Sequence, residues 1–251
     1  MERILKNHPL AIIVPFMGLM DYTERMIDSI KTIHPYKVML IDNGRTLESK
    51  KWLSKMTKKK NVEALSFKVN IGVASSWNTG IMLAMDHWGS QIYFIPNNDI
   101  LLHPKAIDLL CDRICDPDIA LITATDVCGK IVEPTDIYEY KIPKKEELVE
   151  APEFSCFMTK IETVNKIGLF DTQYYPAYFE DNDYHYRLKL ASMKSLKTNR
   201  AVYYHYGSRT IKQSKKILEI SNAGYAINRD YYESKWGGLP GHETRKVPKI
   251  V

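Results

Sequence analysis

Apolar positions fall in two rhythms along the first hundred residues. "LAIIVPF" (10–16), "KVMLIDNG" (37–44) and "QIYFIP" (91–96) are short continuous apolar runs, the pattern of strands covered on both faces. "VEALSFK" (62–68) reads as a further strand. Between them the spacing turns helical. In "DYTERMIDSIKTI" (21–33), Met26, Ile27, Ile30 and Ile33 form a stripe, and Asp21 with Glu24 resembles a capping box. A lysine-rich helix follows the second strand. "ASSWNTGIMLAMDHWG" (74–89) predicts a helix that Ser75 or Ser76 can cap and Gly89 ends. Strands alternating with helices predict a mainly parallel sheet with right-handed crossovers.

The second half is less regular. "HPKAIDLLCDRI" predicts a helix, "DIALITATDV" a strand, and "EFSCFMTK" a strand leading into a short helix that stops at Gly168. "FEDNDYHYRLKLAS" predicts a helix with an acidic start, "RAVYYHYG" a strand, and 214–235 a closing helix. Residues 129–152, rich in Pro, Glu and Lys, read as an exposed excursion. No internal repeat or interdomain linker breaks the pattern.

Composition narrows the class. The 251 residues, 45% apolar and 26% charged, suit a folded soluble protein. No apolar run approaches the ~20 residues that span a bilayer. The first residues, "MERILKNHPLAIIVP", lack the order of a signal peptide, so an intracellular, cytoplasmic location is expected. The four cysteines show no CxxC pair and read as free thiols rather than a metal site. The net charge of +5 owes part of its value to "KMTKKKNVE" (55–63). Such a run is a solvated face or a contact for an anionic membrane or polyanionic acceptor.

Ligands of open parallel sheets bind beyond the carboxyl ends of the strands. Three successive ends carry small polar chemistry: Asp42, then Asn70 and Gly72, then Asn97, Asn98 and Asp99. Asn70 and Gly72 make a tight turn before a helix, where backbone N–H groups favour an anion. Asn78 and Gly80 lie inside that helix, and Gly80 allows a close approach by another backbone or a ligand. The GxGxxG pattern of dinucleotide enzymes is absent. A carboxylate at a strand tip, flanked by amides, suits a hard divalent cation that also holds phosphates. Glu180, Asp181 and Asp183 cluster at a helix start, where negative charge is favourable. Asp183 can pair with Arg187, and a carboxylate on a cleft floor can act as general base. His205 can ligate a metal or contact a phosphate, and Arg209 can brace a diphosphate.

Taken in order from about Leu10 to Gly237, these segments resemble a family 2 glycosyltransferase of the GT-A fold, with "NIGVASSWNTGI" similar to rhamnosyltransferase-like members. "IIVPF" resembles the opening strand and "LIDNG" the strand whose Asp42 contacts the nucleoside. "FIPNND" holds the place of the DxD motif, and "IGLFDTQYYPAYFEDNDYHYRLKLAS" resembles the block that carries the catalytic base. "YHYGSRT" resembles the late His segment. The resemblance implies one domain over 1–251, with a nucleotide-binding half to about 100 and an acceptor-binding half from about 101 that ends in a helix. It implies Asp181 as catalytic base with Glu180 beside it. Asp99 becomes the main ligand of Mn²⁺ or Mg²⁺, and His205 the second. Pro15, Asp42, Asn70, Gly72, Asn78, Asn97, Asn98 and Arg209 fall to the sugar nucleotide. Asn97 departs from the family, replacing the first acid of DxD. The implied reaction is inverting transfer from a nucleoside-diphosphate sugar, UDP or TDP favoured, to a glycan, lipid-linked or nucleic-acid acceptor. The competing expectation is a sugar-nucleotide-binding module without turnover.

Overall fold

The computed structural model describes residues 7–150, 153–207 and 215–249. The first half alternates as expected: β1 (Leu10–Phe16), α1 (Met20–Asp28), β2 (Tyr36–Asp42), α2 (Leu47–Met56), β3 (Val62–Ser66), α3 (Val73–Trp88), β4 (Ile92–Pro96) and β5 (Ile100–Leu102). The second half adds α4 (Ala106–Ile114), β6 (Ile119–Asp126), β7 (Leu148–Glu150), β8 (Cys156–Lys160), α5 (Ile161–Ile167), α6 (Glu180–Leu190), β9 (Lys194–His205) and α7 (Lys215–Trp236).

Among the described residues, nine strands join one sheet in the order β3-β2-β1-β4-β8-β6-β9-β5, with β7 also on β9. Strands β1 to β4 run parallel. Strand β8 is antiparallel to both β4 and β6, which returns β6 to the common direction, and β9 is parallel to β6. The carboxyl ends of β1, β2, β3, β4, β6 and β9 therefore share one edge. The helix-covered, mainly parallel α/β sheet matches the expected class.

The apolar runs are explained by their two faces. Along β1, Leu10, Ile12, Val14 and Phe16 pack on one layer with Met26, Ile27, Leu53 and Leu110. Ala11 and Ile13 point to the other, against Ala74, Trp77 and Ile81 of α3. Gly80 belongs to this second layer. A Cβ there would come within 2.2 Å of the Ile13 side chain, so the close approach is strand packing and not a ligand. Among the described residues no helix is long and apolar enough to cross a membrane.

Several local expectations change. The Asp21–Glu24 capping box does not form. Leu19, at φ 50, precedes α1 with no side-chain cap, and Glu24 instead accepts from Trp52 Nε1 and Lys55 Nζ, each at 2.9 Å. The helix stops at Asp28, leaving Ile33 outside the stripe and 84% exposed. Helix α3 begins at Val73 with Gly72 as its N-cap, and the Ser76 hydroxyl donates back to the Gly72 carbonyl. The excursion at 129–152 holds a 3₁₀ turn (Pro134–Glu139) that buries Ile137, and then β7, whose side chains stay exposed.

Candidate active site

The shared carboxyl edge gathers the polar residues, but their roles divide. Pro15, near the end of β1, is half-buried opposite Ile41. Asp42 turns inward. It is fully buried, and its carboxylate accepts from the Ser49 and Ser66 hydroxyls at 2.7 and 3.1 Å and from the Gly44 N–H at 3.3 Å. This corrects the expected nucleoside contact: both oxygens hold the loop after β2 together.

The turn before α3 is likewise filled by the chain itself. The Ile71 N–H donates to Asn43 Oδ1, the Gly72 N–H to Asn70 Oδ1, each at 2.8 Å, and the Val73 N–H to the Pro176 carbonyl at 2.9 Å. The anion site expected at these three N–H groups is therefore occupied by protein oxygens. Gly72, at φ 84, is required by backbone shape and by space, since a Cβ would stand 3.0 Å from the Tyr175 ring. Asn78 is also reassigned. Its amide donates to the Phe170 carbonyl at 2.8 Å and its oxygen accepts the Phe170 N–H at 2.9 Å, pinning the chain after Gly168 to α3.

The tip of β4 keeps its chemistry. The Asn97 N–H pairs with the Ser155 carbonyl at 2.8 Å, leaving a half-exposed side chain. Asn98 and Asp99 are both buried, and the Asn98 amide donates to Thr23 Oγ1 at 3.1 Å. Asp99 meets His205: Oδ1 and Nε2 lie 3.2 Å apart. The pairing of Ile100 with His205 produces this meeting, since it sets Asp99 beside Tyr206, whose N–H donates to the Asp99 carbonyl at 3.0 Å. A carboxylate oxygen and an imidazole nitrogen side by side are donor types that suit one edge of a hard or borderline cation, with further oxygens left to ligand and water. Among the described residues no group of three His, Cys, Asp or Glu side chains stands ready to hold a metal. Arg209 lies outside the described residues.

The second edge is the start of α6. Tyr178 and Phe179 enter it at φ 79 and 72, a conformation side chains rarely adopt. Glu180 is buried with Oε2 lacking a hydrogen-bond partner, and burial together with the Asp181 charge raises its carboxyl well above the usual range. Asp181 is pushed up to about 6, by burial and the charge of Glu153, against the Asn182 N–H that donates to Oδ1 at 2.8 Å. It opens on a cleft of about 410 Å³ formed with α7 and the turn at 239–242. Glu153 is an exposed carboxylate paired with Lys197 at 3.1 Å. Its charge acts on Asp181 and on Tyr203, two residues before His205, and Ser155 beyond it holds Asn97.

Asp183 is the structural member of the acidic trio. The expected Arg187 pair forms at 2.9 Å, and Lys235, Trp236 Nε1 and the Tyr174 hydroxyl add contacts at 2.6, 2.8 and 3.3 Å. An aromatic cluster of Tyr174, Phe179, Tyr186, Tyr232 and Trp236 closes around it and locks α6 to α7. Sequence reading missed Lys235, Glu153 and the cleft residues of α7. "NRDYYESKWG" carried the only hint, basic side chains interleaved with aromatics.

No protein-family model matches the chain, and no curated protein matches it. Solved structures do. The mannosyltransferase PcManGT from Pyrobaculum calidifontis, in complex with GDP-Man and Mn²⁺, superposes with a TM-score of 0.60 at 14% identity, covering 89% of this chain and 71% of that one. GalNAc-T7 with UDP, GalNAc and Mn²⁺ gives a TM-score of 0.64 at 15% identity, covering 91% of this chain and half of that one (50%). At such identity the likeness establishes the fold: the chain has the GT-A glycosyltransferase architecture.

Proposed function

We propose that the chain is a glycosyltransferase that takes its sugar from a nucleoside diphosphate. The observation that carries this reading is the Asp99–His205 convergence at the open edge of a GT-A sheet, brought about across 106 residues of sequence. Asp99 and His205 would hold Mn²⁺ or Mg²⁺, which when bound offsets the diphosphate charge. Asn97, half-exposed beside them, contacts the sugar or diphosphate. Asp181 is the general base. With a carboxyl raised to about 6 it is ionised at neutral pH, yet more basic than an ordinary carboxylate. It accepts the proton of the acceptor hydroxyl as the oxygen attacks the anomeric carbon in line, which inverts that centre. Glu180 lies behind it, and burial together with the Asp181 charge raises its carboxyl well above the usual range, which disfavours a second negative charge in the floor.

Family 2 membership, the rhamnosyltransferase-like subgroup, hexosyl or deoxyhexosyl transfer, and the UDP or TDP preference rest on the order of motifs described above. So does the division of one domain into a nucleotide half and an acceptor half. A second reading, a sugar-nucleotide-binding module, draws on Asn97 in place of an acid and on the two-residue metal edge. Thermal shift with UDP-, TDP-, GDP- and CMP-sugars, with and without Mn²⁺, followed by a product assay with the donor that binds, decides between them. A Mn²⁺-enhanced shift with transfer or donor hydrolysis supports the enzyme. A shift without turnover supports the module, and no shift with any donor overturns both.

A further inference from the structure

The cleft against Asp181 has a second wall that the reaction as described leaves unused. Tyr178 and Tyr225 meet edge to face with centroids 5.4 Å apart, and both rings are partly exposed. With Pro240 they offer the apolar faces on which the C–H side of a sugar ring packs. Arg229 follows Tyr225 by one helical turn and therefore lines the same side of α7. Its guanidinium has no ion pair and no hydrogen bond among the described residues. Behind the floor lies Glu180, with a buried carboxyl oxygen that has no partner. An anionic group entering beside the Asp181 carboxylate needs a cation on the facing wall. Arg229 supplies one in the forked form that matches a carboxylate or phosphate.

We propose that this cleft is the acceptor subsite for a sugar bearing an anionic group, a carboxylate or a phosphate, and that Arg229 is the specificity residue that binds the anion. The proposal rests on reading Asp181 as the base. The acceptor ring lies on Tyr178 and Tyr225 with its anion toward Arg229 and one hydroxyl toward Asp181. In the transfer, the hydroxyl oxygen bonds to the anomeric carbon and its proton passes to Asp181. The bond from that carbon to the diphosphate breaks with its electron pair leaving on the diphosphate, and the acceptor's anion is unchanged.

The test uses the full chain and three probes that differ only at C6: methyl glucuronide, methyl glucoside 6-phosphate and methyl glucoside. Ligand-observed NMR titration should find at least one anionic probe bound about 10-fold more tightly than the neutral one, the scale of a charge-assisted contact. In R229Q the preference should fall to within about twofold. The glucuronide and phosphate arms distinguish which anion is taken. Equal affinity for charged and neutral probes, binding of none, or a preference that survives R229Q overturns the proposal. Donor binding by thermal shift is read separately. If donors bind and the preference is absent, only the acceptor assignment falls. If no donor binds while the preference follows Arg229, the transferase reading fails and the acceptor role falls with it.

Discussion

Asp181 and Asp183 lie two residues apart on the first turn of α6 and live in opposite surroundings. Asp183 is fully buried, yet Arg187, Lys235, Trp236 and Tyr174 all donate to it. Asp181 is partly open to a cleft, receives one N–H from its own helix, and is pushed up to about 6. Depth alone therefore does not decide how a carboxylate behaves. The partners do: cations and donors on one side of the helix make a structural anchor, and their scarcity on the other leaves a carboxyl that holds its proton to higher pH.

The largest expected effect comes from removing the unmatched carboxylate. Asp181→Asn should lower transfer by about 10³-fold while donor affinity and thermal stability hold. Wild-type rate should rise with pH through about 6, because the base works only when ionised, and the variant should lack that limb. Normal turnover in Asp181→Asn would remove it as base. Next comes the matched one. Asp183→Asn leaves Arg187 and Lys235 facing a neutral amide and should cost about 3 kcal/mol in urea unfolding. If the two substitutions destabilise equally, the contrast between them is void.

Asp99, a carboxylate set against an imidazole, extends the comparison. Asp99→Ala should weaken Mn²⁺-supported donor binding about 10-fold in calorimetry; equal affinity would end its role at the metal edge. The smallest effect is at Glu180. Its carboxyl is raised in the fold, so the unfolded chain ionises first as pH rises, and the stability present below its unfolded value is lost above it. Glu180→Gln should thus raise Tm by about 2–4 °C at pH 8, the response of a chain this size to ~1 kcal/mol, and by little at pH 4. Differential scanning calorimetry at the two pH values checks the sign.

Much of this was legible in the chain. The double-faced strands followed from unbroken apolar runs, because each residue of β1 meets one layer or the other. Gly89 and Gly168 ended their helices as read, both at positive φ. What stayed hidden depends on partners far along the sequence. Asn78 looked like a ligand residue until Phe170, 92 positions away, took both ends of its amide. Asp42 stood at the expected strand end, but Ser49 and Ser66 decided which way its carboxylate faces. The turn before α3 had the right glycine for an anion, and Pro176 came from the second half to fill it. Residue type and spacing locate an edge. They do not say which polar groups the rest of the fold will already have satisfied.

Pro176 carries one consequence further. Its carbonyl caps α3, while its ring lies where a Cβ on Gly224 of α7 would come within 2.4 Å. Gly72 and Gly224 thus make room for the same short strap from opposite sides. Neither can gain a side chain unless the strap shifts, and a shifted strap abandons the other. Across descendants of this sequence, the two glycines and residues 175–176 should therefore change as one unit or stay as they are.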